Sequence, residues 1–258
     1  MPQLPLGWRT DLDVLERSGA VFERRGDHLI VRSPDNPGFH WGNFLMVTSP
    51  QLAGQPQRCL AIFQEALPEA RHVAVGLPVP AARAWQDSGV PYEWDLVLAS
   101  TQPPARGAAP AGYSVRQLHS ADDWSRCVHA DMAEHVRTGG SADDGYLGFA
   151  QASMRSRAHL TERAHGAFFG AFAGDELVAD LGIVMCDGAV ARYRSVATSH
   201  GHRRRGLASH LLAVAGQWAA GRGAVRWVIV AEPGSDAERL YRSLGMVPAA
   251  ASCQAYRA

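Results

Sequence analysis

Lysine is absent from this sequence: all 25 basic residues are arginines, and 25 acidic residues bring the net charge to zero. A bias of genome composition explains the missing lysine more simply than function does. Zero net charge argues against nucleic acid or an anionic membrane as the main partner. With 47% hydrophobic and 19% charged residues, the composition is that of a globular protein. The length of 258 residues leaves room for one large domain or two of ordinary size.

Cysteine is scarce and long apolar runs are missing. The four cysteines lie far apart and form no C-x-x-C pair: Cys59, Cys127, Cys186 and Cys253. This spacing favours neither a zinc site nor a disulfide framework, so we expect buried thiols in a reducing compartment and no metal. No run is long enough to span a bilayer, and the N-terminus lacks a basic region followed by an apolar core. We therefore expect a cytoplasmic protein that binds no membrane.

A segment rich in proline, alanine and glycine, residues 101–112, is the one clear linker. It predicts a smaller α/β domain over residues 1–100 and a second domain over residues 113–258. In the first domain the patterns predict helices at 11–18, 56–66 and 81–88, and strands at 21–24, 28–31, 43–48, 71–75 and 92–99. The second domain begins with a strand at 113–118 and helices at 121–137 and 149–163, separated by a polar loop.

Three strands then follow in close succession at 166–173, 176–185 and 189–198, with glycine-containing turns between them. Turns this short predict an antiparallel meander. A helix, a strand, a helix and a final strand complete the order β-α-α-β-β-β-α-β-α-β. A nucleotide-binding module would instead need its phosphate loop at the start of a parallel α/β repeat, which the meander does not fit.

The junction between the third strand of the meander and the next helix has the chemistry of an anion site. Three arginines and Gly206 open the helix, where free backbone N–H groups and the helix dipole favour a phosphate. Gly206 lets the backbone approach a ligand with no Cβ in the way. The hexapeptide Arg203-x-x-Gly206-x-Ala208 alone is equally compatible with a basic loop at a helix start.

This hexapeptide resembles the pyrophosphate-binding signature R/Q-x-x-G-x-G/A of the GCN5-related N-acetyltransferases (GNAT). The upstream residues Val196-x-Thr198-x-His200 are similar to the family's V-x-T-x-P, with histidine in place of proline. A second stretch, from Ala237 to Met246, resembles the family's N-x-x-A-x-x-L-Y-x-x-x-G-F. Here the asparagine position is Gly234 and the final aromatic is Met246.

The resemblance covers about 145 residues and implies a mixed α+β acyl-CoA N-acyltransferase fold, in which helices flank a central sheet. It implies an acetyl-CoA-dependent N-acetyltransferase in which a primary amine of a small molecule, or a peptide N-terminus, attacks the thioester directly. Backbone amides would hold the pyrophosphate, with Arg203 adding charge: Arg204, Arg205, Gly206, Leu207 and Ala208. The pantetheine arm would pair with Val196, Ala197 and Thr198, and either a backbone amide or Ser235 would stand in for the missing asparagine. Tyr241 would be the general acid that protonates the leaving thiolate.

The sequence leaves three questions open. No motif identifies the general base, for which the candidates are Asp131, Glu134, His135, Arg192, Tyr193 and Arg194. Because the asparagine and an assigned base are both missing, a catalytically inert acyl-CoA-binding sensor or scaffold is the alternative function. We expect a monomer or a homodimer.

The role of the first domain is the third question. Trp85 to Val90, followed by a strand, echo Tyr241 to Met246, followed by a strand. This echo suggests a degenerate GNAT-like copy, in which tryptophan occupies the position of the acid tyrosine and no R-x-x-G-x-A occurs. Our hypothesis is that this domain shapes the acceptor pocket, with the aromatic residues of segment 36–43 as lining, or covers a sheet edge.

Overall fold

The computed structural model describes residues 4–105 and 107–258. Residues 1–3 of the N-terminal segment and Arg106 of the predicted linker lie outside the described residues. The strands are β1 (Val21–Arg25), β2 (His28–Arg32), β3 (Phe44–Val47), β4 (Val73–Leu77), β5 (Tyr92–Ser100), β6 (Ser114–Leu118), β7 (Gly166–Ala173), β8 (Glu176–Cys186), β9 (Val190–Thr198), β10 (Arg226–Ala231) and β11 (Val247–Arg257). The α-helices are α1 (Leu6–Arg17), α2 (Pro50–Ala53), α3 (Pro56–Ala66), α4 (Ala82–Trp85), α5 (Ala121–Arg137), α6 (Asp144–Glu162), α7 (Leu207–Ala220) and α8 (Asp236–Ser243).

Contacts divide the chain into two compact units. The first contains the N-terminal residues up to Leu98 together with Val230–Glu238 and Pro248–Ala258, and the second contains Ala99–Ile229 and Arg239–Val247. This grouping differs from the predicted division at 113–258. The reason is the last strand, since β11 pairs with β4 in antiparallel register, with Cys253 opposite Leu77 and Arg257 opposite Val73.

In the first unit the strands follow the spatial order β1-β2-β3-β4-β11-β5. β2 pairs antiparallel with β1 and β3, whereas β3 and β4 are parallel. One side of this sheet packs an aromatic cluster, in which the Trp8 ring stacks on Phe44 with centroids 5.7 Å apart. The other side buries Phe63 and Trp85 in a cluster with Leu45. Two faces of one sheet are therefore covered by apolar side chains.

Two predicted helices of the first unit differ from the structure at their ends, and one helix was missed. α1 begins at Leu6 rather than at residue 11, because Trp8 is buried and its indole N–H donates to the Cys253 carbonyl at 3.3 Å. The short α2 was not predicted, although Ser49 caps it by accepting from the Leu52 amide at 3.4 Å. α4 covers only Ala82–Trp85 of the predicted span 81–88.

The second unit contains the predicted meander. β6, β7, β8 and β9 are successively antiparallel, and β10 joins β9 in parallel, giving the spatial order β10-β9-β8-β7-β6. α6 begins at Asp144 rather than at residue 149, because the Asp143 carboxylate accepts from the Tyr146 amide at 2.9 Å. The order of elements and the antiparallel pairing of the meander are thus confirmed.

Part of the predicted linker packs against helix α7. Pro104 is buried. Pro103 lies so close to α7 that a Cβ added to Gly216 would stand 2.9 Å from its own Cβ. The Tyr193 hydroxyl would be 2.6 Å from the same added atom. Gly216 therefore provides the space in which the linker and β9 both meet this helix.

Helix α5 begins with a capping box whose buried Asp123 also pairs with the partly exposed Arg116. Ser120 accepts from the Asp123 amide at 3.1 Å. The Asp123 carboxylate accepts from the amides of Ser120 and His119, each at 3.0 Å, and from Arg116 at 2.6 Å. Burial by itself would raise the pKa of Asp123, but these hydrogen bonds outweigh it and hold the pKa well below its usual range.

We expect Asp123→Asn to lower the free energy of unfolding by about 3 kcal/mol at pH 7, since it removes a buried carboxylate that accepts three hydrogen bonds and it weakens the cap. A depressed carboxyl pKa stabilises the fold above the unfolded pKa of about 3.9, and this stabilisation is lost as the pH falls towards the folded pKa. The difference in the free energy of unfolding between wild type and variant should therefore become smaller below about pH 4. Urea unfolding at several pH values measures it.

Asp122→Asn is the matched control for this experiment. Asp122 neighbours Asp123 on the same helix turn, but it is 71% exposed and pairs with Arg126 at i+4. Exposed pairs of this kind contribute about 0.3–0.5 kcal/mol. A loss as large as that of Asp123→Asn would contradict the assignment of the stabilisation to the buried carboxylate.

Candidate functional site

Strand β9 changes its pairing at the point where the sequence predicted a ligand site. On the β8 side the register shifts, so that Gly182 lies opposite Arg194 and Asp180 lies opposite Ala197. Two residues of β9, Ser195 and Val196, therefore face one residue of β8, and Ser195 adopts a positive φ of 52°. This is a β-bulge, a feature that bends a strand and re-aims its side chains.

On its other side, β9 parts from β10. The parallel register between the described residues of these strands covers Val190, Ala191 and Arg192 and goes no further. β9 itself continues to Thr198. Its backbone beyond Arg192, which includes the predicted pantetheine residues Val196, Ala197 and Thr198, thus lies past the ladder with β10. Strand backbone at an open edge is suited to pairing with an extended ligand.

The loop after β9 brings backbone amides to the start of α7. A 3₁₀ turn over His200–His202 leads into Arg203, Arg204 has a positive φ of 62°, and Gly206 has a positive φ of 79° as the N-cap of α7. No side chain caps this helix, and its first turn contains no acidic residue. A Cβ on Gly206 would meet only Pro110 at 3.9 Å. An uncapped helix start with turned amides suits an anion.

Two of the arginines in this loop are engaged by protein groups. Arg203 donates to the Thr198 carbonyl at 3.1 Å and to the Glu134 carboxylate at 2.8 Å. Arg205 donates to the Tyr113 hydroxyl at 3.1 Å, and that hydroxyl lies 3.0 Å from His202 Nδ1. The loop is therefore held on both sides, while its amides remain at the helix start.

Glu134, a candidate base, lies in this ion-pair network. Besides Arg203 it accepts two hydrogen bonds from Arg137, at 2.6 and 2.7 Å. The Arg137 hydrogen bonds outweigh partial burial and lower the pKa of Glu134. A carboxylate with a lowered pKa is a weaker proton acceptor, so this geometry disfavours Glu134 as the base.

The other candidate bases have distinct environments. Tyr193 is buried, its hydroxyl donates to the Leu212 carbonyl at 2.9 Å, and burial raises its pKa, so it stays protonated. Arg192 is buried at 6% exposure. His135 stacks on the Tyr146 ring at 3.5 Å, and the Tyr146 hydroxyl donates to Asp131 at 3.3 Å. The loop between α5 and α6 lies against His135, because a Cβ added to Gly140 would overlap the His135 ring.

Tyr241 is buried on α8 at 4% exposure. Burial raises its pKa to about 12, against a smaller opposite effect of the Arg192 charge. The hydroxyl is therefore protonated at neutral pH, as a proton donor must be. Gly245, four residues on, has a positive φ of 85° and ends this helical turn before β11.

Ser235, proposed as a substitute for asparagine, acts as a local cap. Its hydroxyl donates to the Glu232 carbonyl at 2.6 Å and accepts from the Glu238 amide at 3.2 Å. Gly234 has a positive φ of 77°, and its amide donates to the Glu238 carboxylate at 2.6 Å. Because glycine adopts this conformation without strain, the Gly234 departure has a backbone reason. Contacts group Ser235 with the first unit, whereas Tyr241 and β9 belong to the second.

The sequence reasoning missed a buried ion pair next to the bulge. Asp180 on β8 accepts from Arg157 of α6 at 2.9 Å, and the two side chains are 11% and 16% exposed. Its signal was present in the sequence, since Asp180 is the one charged residue between Leu177 and Cys186, in a stretch of the predicted strand that is otherwise apolar. Charged residues are rarely buried unless they are paired or functional.

Neither a metal-binding cluster nor a membrane-spanning helix is found in the described ranges. Residues 4–105 and 107–258 hold no group of three or more histidine, cysteine, aspartate or glutamate side chains that could bind a metal ion. Within the same ranges, no helix is long and apolar enough to cross a membrane.

The meander, the bulged strand and the uncapped helix start together define an acyltransferase-type fold. Residues 133–246 match the model of the acetyltransferase (GNAT) family. The resemblance stated from the motifs is therefore confirmed over these residues. Among proteins of curated function, none matches this chain in sequence.

Solved structures share the fold over nearly the whole chain. A GCN5-related N-acetyltransferase from Kribbella flavida aligns with a TM-score of 0.68 at 18% identity, over 98% of this chain and 96% of its own. A conserved protein of unknown function from Staphylococcus epidermidis aligns with a TM-score of 0.72 at 12% identity, over 93% and 94%. A tandem GNAT protein of the clavulanic acid biosynthesis pathway gives 0.55 at 14%, over 89% and 82%. The predicted fold class, a mixed α+β fold in which helices flank a central sheet, is thereby confirmed.

We expect Gly206→Ala to lower the free energy of unfolding by about 1–2 kcal/mol, because an L-residue is strained at a φ of 79°. The matched control is Gly221→Ala at the other end of α7, where φ is −63° and the added Cβ lies 3.6 Å from its nearest neighbours. Chemical unfolding of both variants measures the difference. Equal stability of the two would contradict the left-handed conformation of Gly206.

Proposed function

We propose that this protein is an acetyl-CoA-dependent N-acetyltransferase that acts on a primary amine of a small molecule or on a peptide N-terminus. The observation that carries the proposal is the course of β9, which parts from β10 after Arg192 and leads into the uncapped start of α7. These features lie within the GNAT match over residues 133–246. A GNAT domain supports acyl transfer in general, and the acetyl donor and amine acceptor are the finer part of the proposal.

The proposed cofactor site has two parts. The amides of the loop and first turn would hold the pyrophosphate, namely those of Arg204, Arg205, Gly206, Leu207 and Ala208. The β9 backbone at Val196, Ala197 and Thr198 would pair with the pantetheine arm. The open space at the Gly206 Cα and the absence of a side-chain cap on α7 support this fit. Acetyl-CoA would supply an activated acetyl group as a thioester.

Arg203 would add charge to the pyrophosphate site by exchanging partners. Its side chain pairs with Glu134 at 2.8 Å, and both groups are partly exposed, at 46% and 37%. An exposed ion pair contributes about 0–1 kcal/mol. A phosphate can therefore displace Glu134 at small cost, and a backbone N–H of β9 near the bulge would stabilise the oxyanion that forms when the amine attacks.

The alternative function is a catalytically inert acyl-CoA-binding sensor or scaffold. It is favoured by Gly234 at the asparagine position and by the engagement of Glu134 in ion pairs. Both functions predict that acetyl-CoA binds, and only the enzyme releases free CoA in the presence of an amine.

Two measurements on the full chain separate the two functions. Differential scanning fluorimetry with acetyl-CoA tests cofactor binding, since a ligand that binds only the folded state raises the melting temperature. A thiol-detection assay with a panel of primary amines and peptides then tests transfer. No stabilisation by acetyl-CoA would overturn both functions, and stabilisation without thiol release by any amine would leave the sensor.

Tyr241→Phe is expected to lower kcat by about 10²–10⁴-fold, the usual contribution of positioned proton transfer. The Kd for acetyl-CoA should stay within about twofold, because the ring and its packing are retained. Steady-state kinetics and calorimetric titration measure the two quantities. Tyr256→Phe is a matched control, since it removes a partly buried tyrosine hydroxyl of the first unit, which lies 2.8 Å from His40 Nδ1. An unchanged kcat for Tyr241→Phe would remove this residue from the mechanism.

The remaining parts of the proposal concern assembly and the first unit. The oligomeric state, monomer or homodimer, stays a prediction, as does the cytoplasmic location. The hypothesis that segment 36–43 lines a pocket has a partial counterpart within the first unit, where Trp41 lies 5.7 Å from Phe44 and 5.6 Å from Tyr256. This packing is that of a core cluster, and it leaves the pocket role as a proposal.

A further inference from the structure

The β8–β9 register puts one carboxylate at the strand segment on which acyl transfer would occur. Asp180 lies directly opposite Ala197, next to the bulge at Ser195. Directly opposite residues of an antiparallel pair have their side chains on the same face, with Cβ atoms about 4.5–5.5 Å apart. That face is the one covered by α6, because the Asp180 carboxylate accepts from Arg157.

Asp180 differs from the other buried aspartate of the second unit. Asp123 accepts hydrogen bonds at both oxygens, Oδ1 from Arg116 and Oδ2 from two amides. Asp180 accepts one, at Oδ2, and its Oδ1 receives no hydrogen bond from the part of the chain that the structure describes. The Asp180 side chain is 11% exposed, so an oxygen that accepts no hydrogen bond from the protein can accept one from a ligand.

The charges around Asp180 leave a negative excess. Arg157 contributes one positive charge, while Asp131 on α5 contributes a second negative one that acts on Asp180. Cys127, the other titratable group near Asp180 on α5, is neutral because burial raises its pKa to about 12. Burial raises the pKa of Asp180, Arg157 lowers it and Asp131 raises it, with a net rise. A cation would compensate the excess charge.

Arg157 holds the carboxylate in place. Its guanidinium lies over the Phe168 ring at 5.5 Å, and that ring fills the space left by Gly182, where a Cβ would stand 2.3 Å from a ring carbon. Arg157 is therefore a positioning residue for Asp180. Next to Asp131, the stacked rings of His135 and Tyr146 form an aromatic surface, with Phe149 5.5 Å from Tyr146.

We propose that Asp180 is the acceptor-side carboxylate, which binds the incoming ammonium group through Oδ1 and takes its proton before attack. The inference rests on the proposed N-acetyltransferase function. It assigns the base that the sequence left open and predicts a cationic primary amine with an aromatic or apolar body as the acceptor, since such a body would pack on the His135 and Tyr146 rings.

The proton transfers balance as follows. Asp180 takes one proton from the ammonium, and the neutral nitrogen forms a bond to the thioester carbonyl carbon. The carbon–sulfur bond then breaks, and the second nitrogen proton is lost as the amide forms. One proton ends on the CoA sulfur, through Tyr241 in the proposed mechanism, and the other passes from Asp180 to solvent. A carboxyl group with a raised pKa suits this role better than Glu134, whose pKa is lowered.

The first arm of the test measures binding without turnover. Benzylamine is titrated into the full-length protein with CoA present, and its neutral isostere benzyl alcohol serves as the ligand control. We expect Asp180→Asn to weaken benzylamine binding at least about tenfold, the effect of losing a buried charge partner, and to leave benzyl alcohol and CoA binding unchanged. Asp123→Asn, which removes the other buried carboxylate of the second unit, should leave benzylamine binding unchanged.

The second arm measures the pH dependence of kcat/KM with the best amine of the panel. At neutral pH, Asp180→Asn should lose about 10²–10⁴-fold. Its kcat/KM should then rise about tenfold per pH unit up to the pKa of the free amine, because only amine that is already deprotonated reacts. The wild type should reach its plateau at lower pH. Since Asp180→Asn leaves Arg157 buried without its carboxylate, the double variant with Arg157→Gln tests the same loss in a neutral site.

Each outcome decides the inference. Amine binding that depends on Asp180, with no thiol release by the wild type, would retain the site and overturn the proposed function. Acetyl transfer by both Asp180 variants within about twofold of wild type, with an unchanged pH profile, would overturn the inference and retain the function. Failure of the wild-type protein to bind benzylamine, or equal binding of benzylamine by Asp180→Asn, would also overturn the inference.

Discussion

The change in pairing of β9 is the constraint on which the second unit depends. A strand that pairs along its whole length on both sides has no backbone group left for a ligand. β9 is parallel to β10 only over Val190–Arg192, and on its β8 side the bulge at Ser195 shifts the register. The same strand then enters the loop that turns into α7. One interruption of the sheet thus provides an open strand edge, a re-aimed side-chain face and an uncapped helix start within 20 residues of sequence.

Electrostatics in this unit divide between exposed and buried ion pairs. Arg203 and Glu134 are both partly exposed, so their pairing is weak and an anion can replace it. Asp123 and Arg116 form a fully satisfied pair that stabilises the start of α5. Asp180 and Arg157 are both largely buried, but the Asp180 carboxylate accepts a hydrogen bond at one oxygen only, whereas Asp123 accepts hydrogen bonds at both. The number of donors around a buried carboxylate, and not burial alone, determines whether its pKa falls or rises.

The first unit has the same glycine turn after a buried aromatic residue as the second unit, but that residue is not a tyrosine. Gly89 and Gly245 have nearly the same positive φ, 78° and 85°, after a buried aromatic residue four positions earlier. In the first unit that residue is Trp85, whose indole N–H donates to the Ala53 carbonyl at 2.9 Å, and in the second it is Tyr241. The tryptophan N–H is consumed by a structural hydrogen bond and is no proton donor at neutral pH. The retained turn and the lost acid fit a degenerate copy.

The sequence by itself determined the order of the elements, the antiparallel meander and the glycine turn at the start of α7, because hydrophobic period, turn glycines and helix starts are local properties of the chain. It also showed Gly206 and Tyr241 in register with a family. Only the tertiary structure decided that β11 pairs with β4 and that Arg203 pairs with Glu134. It alone also placed Asp180 opposite Ala197, with its hydrogen bond from Arg157 at Oδ2. These relations join residues up to 184 positions apart, such as Arg257 and Val73, and no local pattern encodes which distant strand or charge a residue will meet.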